Sequence, residues 1–196
     1  MVQISQTESC VFRFPPGHPR VKTLYVAHPA MPSVYYSAAS FHRMAFEHKF
    51  SEVINLLMSL GASSIKVTHL MGWSREFAAR LSTPLSGVEA TAKAMKATEE
   101  NSSLLFVAIL NNNCTPKIPD HLVCYEHEPT WQSIANGRIN HGLSTISLTV
   151  DYRDDYRVNG SLKVDAEKAG FDLGGDFEDY RATIWKIEGA FETPAI

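Results

Sequence analysis

The sequence predicts a single α+β domain over residues 22–196. It is built on a mixed sheet of about six strands with helices largely on one face, after a proline-containing arm over residues 1–21. Three observations carry this expectation. Apolar residues alternate with period two in some runs and recur at 3.6 in others, so strands and helices interleave. Residues 64–152 read strand, helix, strand, strand, helix, strand, the order of a ferredoxin-like βαββαβ core. The length of 196 residues suits one domain, and 44% hydrophobic with 20% charged residues is an ordinary globular balance.

In the arm, Phe14-Pro15-Pro16-Gly17-His18-Pro19 contains three prolines that lack an N–H, so it reads as an ordered loop. Lys22 to His28 is a first strand, broken by His28-Pro29 and Met31-Pro32. Ser37 or Ser40 caps a long helix that ends at Leu60, with Gly61 as its stop. Phe46, Phe50, Val53, Ile54, Leu57 and Leu60 define its apolar face. Ser64 to Leu70 alternates as a half-buried strand. Residues 72–82 fit a short helix capped by Ser74, and Ser86-Gly87-Val88-Glu89 fits a capping box for a helix to about Glu100.

Leu104 to Leu110 is a short continuous apolar run, expected as a strand buried on both faces. A proline-containing loop leads to another strand over His121–Glu126. Glu128-Pro129-Thr130 starts a helix that stops near Asn140, with Gly142 beyond it. Ile146, Leu148, Val150 and Tyr152 alternate with polar residues as a half-buried strand. Asn159 or Ser161 caps a last helix to Ala169, closed by Gly170. Thr183, Trp185, Ile187 and Phe191 mark the final strand.

Composition and motifs exclude several functions. Eighteen Lys and Arg against 21 Asp and Glu leave a net charge of −3, so no positive field advertises nucleic acid. No apolar run is long enough to span a membrane, and residues 1–14 lack a signal peptide's basic and apolar regions, so a cytoplasmic protein is expected. The three cysteines, Cys10, Cys114 and Cys124, are too few and too scattered for a disulfide framework or a zinc pair. Cys124 reads as a small core residue. P-loop, dinucleotide, nucleophile-elbow and kinase motifs are missing, and no cofactor or metal is expected. Glu126-His127-Glu128 would alternate on a strand, which is poor metal geometry, and the aspartates of the C-terminal third miss the EF-hand spacing.

The informative residues are polar side chains on apolar faces. At 100° per residue, His42 and Arg43 fall on the apolar face of the first long helix, near its start. His48, Glu52 and Asn55 fall opposite, on a face expected to be solvated. The bland reading has His42 bonded to a backbone carbonyl and Arg43 reaching the rim. The functional one is a ligand site for a small anion, with His42 as acid/base and Arg43 as clamp, to which His18, His28 and Tyr36 contribute. On the helix after Pro129, Arg138 aligns with Trp131, which implies a buried or half-buried guanidinium paired with a carboxylate, fixing packing or stacking on an aromatic.

The leading functional expectation is a non-catalytic binding module that recognises another protein or itself, with Trp73, Phe77 and Tyr180 as anchors. The alternative is a small enzyme or small-anion binder using the His/Arg cluster. A membrane-active role for residues 73–85 is a weaker third, and no nucleic-acid partner is expected.

Overall fold

The structure, a computed structural model, describes residues 7–72, 104–111, 115–153 and 156–191. The two helices expected between residues 72 and 100, and with them Trp73 and Phe77, lie outside the described residues.

The described elements are β1 (Tyr25–His28), β2 (Met31–Ser37), α1 (Phe41–Ser59), β3 (Ala62–Met71), β4 (Leu104–Ile109), α2 (Pro129–His141), β5 (Thr145–Tyr152), α3 (Gly160–Lys168) and β6 (Thr183–Phe191). The mixture of helix and strand is as expected. The chain divides into two compact units, Met1–His48 with Asp154–Arg181, and Lys49–Arg153 with Ala182–Ile196. Among the described residues, no helix is long and apolar enough to cross a membrane.

In the first unit, β1 and β2 form an antiparallel hairpin in which Val26 opposes Tyr36. The prolines do not simply end the strand. Pro29 and Ala30 make the turn, and β2 begins at Met31. Pro32 is tolerated because the sheet has only two strands, so a missing N–H need not break a ladder. The N-terminal arm bonds to the outer side of β2, with Arg13 N–H donating to Ser33 at 2.8 Å and Tyr35 N–H to Arg13 at 2.9 Å. Phe12 and Phe14 set their rings against Tyr35 and Tyr25 at 4.9 and 5.0 Å.

Ala38, Ala39, Ala166 and Leu173 form one buried cluster of this unit; Tyr36, Phe41 and Val158 form another. α3 is capped as its sequence predicts: the Asn159 carboxamide oxygen accepts from the N–H groups of Ser161 and Leu162. Before α1, Ser37 makes no side-chain cap; a 3-10 turn over Ala38–Ser40 leads into the helix.

The second unit contains a four-stranded sheet in the order β4-β3-β6-β5. All three pairings are antiparallel, so the described sheet is not mixed. Ile65, Val67, Leu148, Val150, Trp185 and Ile187 are buried on one face. The second half of α1 packs there, with the Phe50 ring edge-on to Trp185 at 4.8 Å. Each fully buried large apolar side chain stabilises such a core by roughly 1.5–3 kcal/mol. The other face carries Lys66, Lys186 and Glu188, joined by ion pairs. This split follows from the period-two alternation along β6, where every second residue from Thr183 to Phe191 is buried.

Two expectations for this unit are corrected. The apolar run 104–110 is not buried on both faces: β4 sits at the end of the described strand order, and Ile109 is 67% exposed. Residues 121–126 are not a strand but a turn leading into a 3-10 helix over Tyr125–His127. The N–H groups of Val123 and Cys124, which a strand would give to a neighbour, go instead to the carboxylate of Glu52. The βαββαβ run expected over 64–152 therefore lacks one of its strands among the described residues.

Candidate functional site

The polar residues singled out in the sequence separate into distinct groups. In the first unit, the β-hairpin carries His28 and Tyr36, with ring centroids 5.8 Å apart and nearly perpendicular. α1 brings His48 to them, its Nδ1 lying 3.1 Å from His28 Nε2. On its other side, His28 Nδ1 accepts the N–H of Ala30 at 3.2 Å. His28 is buried at 3% exposure. An N–H can only donate, so the His28 Nδ1 carries the lone pair and its proton sits on Nε2, pointing at His48. His48, expected on a solvated face, thus becomes part of the site.

His42 is buried on α1, and its Nε2 donates to the Val158 carbonyl at 2.6 Å. The rings of Phe41 and Tyr180 flank it at 5.3 and 5.4 Å. Tyr180 is accordingly half-buried rather than a free surface anchor. The bland reading of His42 is the one observed. Arg43 turns its Nε to both oxygens of Glu178, at 3.0 and 3.2 Å, and its Nη1 to Glu47 at 3.0 Å. Two carboxylates around one guanidinium leave local negative charge in excess, which weakens Arg43 as an anion clamp.

His18 lies with neither of these groups. Its Nδ1 is 2.6 Å from the Tyr25 hydroxyl, which also accepts the N–H of Arg20 at 2.8 Å. Burial, and then the Arg20 charge, lower its pKa from the ordinary histidine value, favouring the neutral ring. A neutral Nδ1 then accepts the Tyr25 O–H. Thus His28 and Tyr36 come together, whereas His18, His42 and Arg43 each bond elsewhere.

In the second unit, Glu52 is the main surprise. It was expected on a solvated face but is 6% exposed. Its two oxygens accept from Val123 N–H at 2.9 Å and Cys124 N–H at 2.7 Å. The opposite face of α1 is not solvent: Leu56 beside it is also buried, and only Ser51 and Asn55 along the helix are exposed. One turn earlier, Lys49 pairs with Glu128 and donates to the Asp151 carbonyl at 3.2 Å. Burial first, and then the Glu52 charge, push the Cys124 thiol up to about 12. Cys124 is therefore the core residue its sequence context predicted, with its thiolate suppressed near neutrality.

Trp131 is buried and Arg138 half-buried on α2. The guanidinium lies over the Phe191 ring at 4.9 Å and donates to the carbonyls of Leu60 at 3.2 Å and Leu143 at 3.1 Å. The expected stacking is present, and the guanidinium also holds two backbone carbonyls.

His48, Glu47, Glu178 and Glu52 were missed as site residues. The four-residue spacing of Arg43 and Glu47 was legible as a helix pair. Nothing in the local sequence marks Glu178, which lies 135 residues from Arg43. No family model, curated protein or solved structure matches this chain.

Proposed function

We propose that this protein works by binding another protein, as a non-catalytic interaction module. The supporting observation is the end of β3, where Leu70 is 56% and Met71 44% exposed. The pairing of β3 with β6 shifts register between His69 and Met71, so the regular ladder breaks where these two apolar residues are exposed. The next large side chains in the sequence are Trp73 and Phe77, so exposed strand end and aromatic anchors are continuous along the chain. The residue types suited to catalysis, by contrast, have structural work: His42 and Arg43 bond a carbonyl and two carboxylates, and Glu52 bonds two amides. Cys10 and Cys124 are free thiols, which suits a reducing cytoplasm.

The test places a photo-crosslinking residue at position 70, and separately at 71, in the full chain, with position 164 as control. Light scattering after size exclusion follows self-association. The proposal expects one defined adduct from positions 70 and 71 that is absent from position 164 and lost with the neighbouring substitution Met71→Asp or Leu70→Asp. A strict monomer without any such adduct overturns it.

A further inference from the structure

We propose that β5 is the edge through which two copies of this chain join their sheets, antiparallel and about a two-fold axis at Leu148. β5 stands at one end of the strand order and pairs with β6 over all eight of its residues without a register shift. The direction of its backbone groups follows from that ladder. In an antiparallel pair, opposed residues alternate between those that exchange hydrogen bonds and those whose N–H and C=O point away from each other. Phe191 N–H donates to the Ser144 carbonyl at 2.7 Å, one step outside the opposed pair Thr145 and Ala190. Ile146, Leu148, Val150 and Tyr152 therefore bond to β6, whereas Thr145, Ser147, Thr149 and Asp151 turn both backbone groups away from it. Two side-chain bonds fit this phase. Lys49 donates to the Asp151 carbonyl at 3.2 Å, and Ser63 on β3 donates to the Ala190 carbonyl at 3.1 Å.

A row of outward donors and acceptors is a template for another strand, and proteins commonly block it with Lys, Pro or a bulge. β5 carries none of the three. At the other end of the order, the pairing of β4 with β3 is interrupted between Val67 and Thr68. Among the described residues, no strand or bridge other than β6 pairs with β5. The side chains of Thr145, Ser147 and Thr149 are exposed.

The strand's own sequence selects a second copy as the occupant. Across a two-fold axis at Leu148, Thr145 opposes Asp151 and Ser147 opposes Thr149, so every outward residue meets another outward residue. Moving the axis one residue sets Asp151 opposite Leu143 or Thr145 opposite Arg153, both beyond the strand. Polar side chains meet polar ones on one face, and Ile146 meets Val150 on the other. No like charges are opposed, since Asp151 is the one charged residue of β5, and Arg153 holds its carboxylate at 2.7 Å. This contact is separate from the one at Leu70 and Met71, and either can exist without the other.

Light scattering and residue-resolved hydrogen exchange, on the full chain at rising protein concentration, test the contact. Expected is a rise to twice the chain mass. The amides of Thr145, Ser147, Thr149 and Asp151 are expected to exchange more slowly as it rises, while those of Ile146, Leu148 and Val150 are slow throughout. Ser147→Pro removes an outward N–H that β6 does not use, and is expected to abolish the doubling in a folded chain without affecting adducts at positions 70 and 71. Should that variant not fold, a charge pair decides. Ser147→Lys with Thr149→Lys, and Ser147→Glu with Thr149→Glu, are each expected to stay monomeric alone and to dimerise when mixed. A chain that stays monomeric at NMR concentrations overturns the proposal, including one whose β5 amides only a different protein protects. So does a dimer in which the outward amides exchange independently of concentration, or a folded Ser147→Pro variant that still dimerises. Charge variants that dimerise alone, or whose mixture stays monomeric, overturn it equally.

Discussion

The carboxylate of Glu52 accepts the backbone N–H of Cys124 at 2.7 Å, and both residues are buried. A helix side chain thereby takes the place of a neighbouring strand for residues 123–124. Replacing Glu52 by Ala leaves two inward amides without this acceptor, at about 1–3 kcal/mol each. Glu52→Ala is expected to lower stability in urea by about 2–6 kcal/mol. Glu52→Gln keeps an acceptor oxygen and is expected to lose about half as much. Equal denaturation midpoints for native and Ala variants would show that this bond contributes nothing.

Cys124 provides a chemical readout of the same region. Its thiol is pushed up to about 12 and is 8% exposed. Native-state alkylation at pH 8 is expected to modify exposed Cys10 while leaving Cys124 untouched; unfolding in urea then exposes Cys124. Peptide mass spectrometry reads both sites. Comparable modification of the two under native conditions contradicts the buried thiol.

Arg138 bridges the carbonyls of Leu60 and Leu143 and covers the Phe191 ring. Because it is only half-buried, its removal costs less than that of a fully buried ion pair. Arg138→Ala is expected to cost about 1–3 kcal/mol from the lost charged hydrogen bonds and ring contact. Arg138→Lys is expected to restore part of this, since an ammonium does not reproduce the planar fork. Thermal unfolding of the two variants separates them.

Gly174 and Gly170 both have positive φ, +86° and +77°, but different surroundings. A Cβ at Gly174 meets the Ser37 Cβ at 2.6 Å, whereas one at Gly170 meets nothing within 4 Å. Gly170→Ala is expected to cost the backbone strain alone, about 1–2 kcal/mol. Gly174→Ala adds a clash, for a loss of at least about 3 kcal/mol. A calorimetric comparison in which both variants lose the same stability rejects the close approach.

Much of the fold was legible where a local pattern had a local cause. Alternation placed β5 and β6, and the Asn159 cap and the stops at Gly61, Gly142 and Gly170 bounded the helices. The apolar face of α1 was read correctly, from Phe46 through Leu60. Its opposite face was not, because periodicity identifies the most apolar side of a helix but cannot say that the other side is also covered. That is why Glu52 and His48 were expected in water.

The same division holds for the site. By itself the sequence determined that His42 and Arg43 share the inward side of a helix start and that Cys124 belongs in a core. It also marked His28 and Tyr36 as residues to follow around a proline turn. Only the tertiary structure decided the bonding: His42 meets a carbonyl 116 residues away, Arg43 meets a carboxylate 135 residues away, and His28 on the hairpin meets His48 on α1, 20 residues away. Helix and strand periods depend on neighbours a few residues apart, whereas hydrogen-bond partners across such separations exist only once the chain has folded.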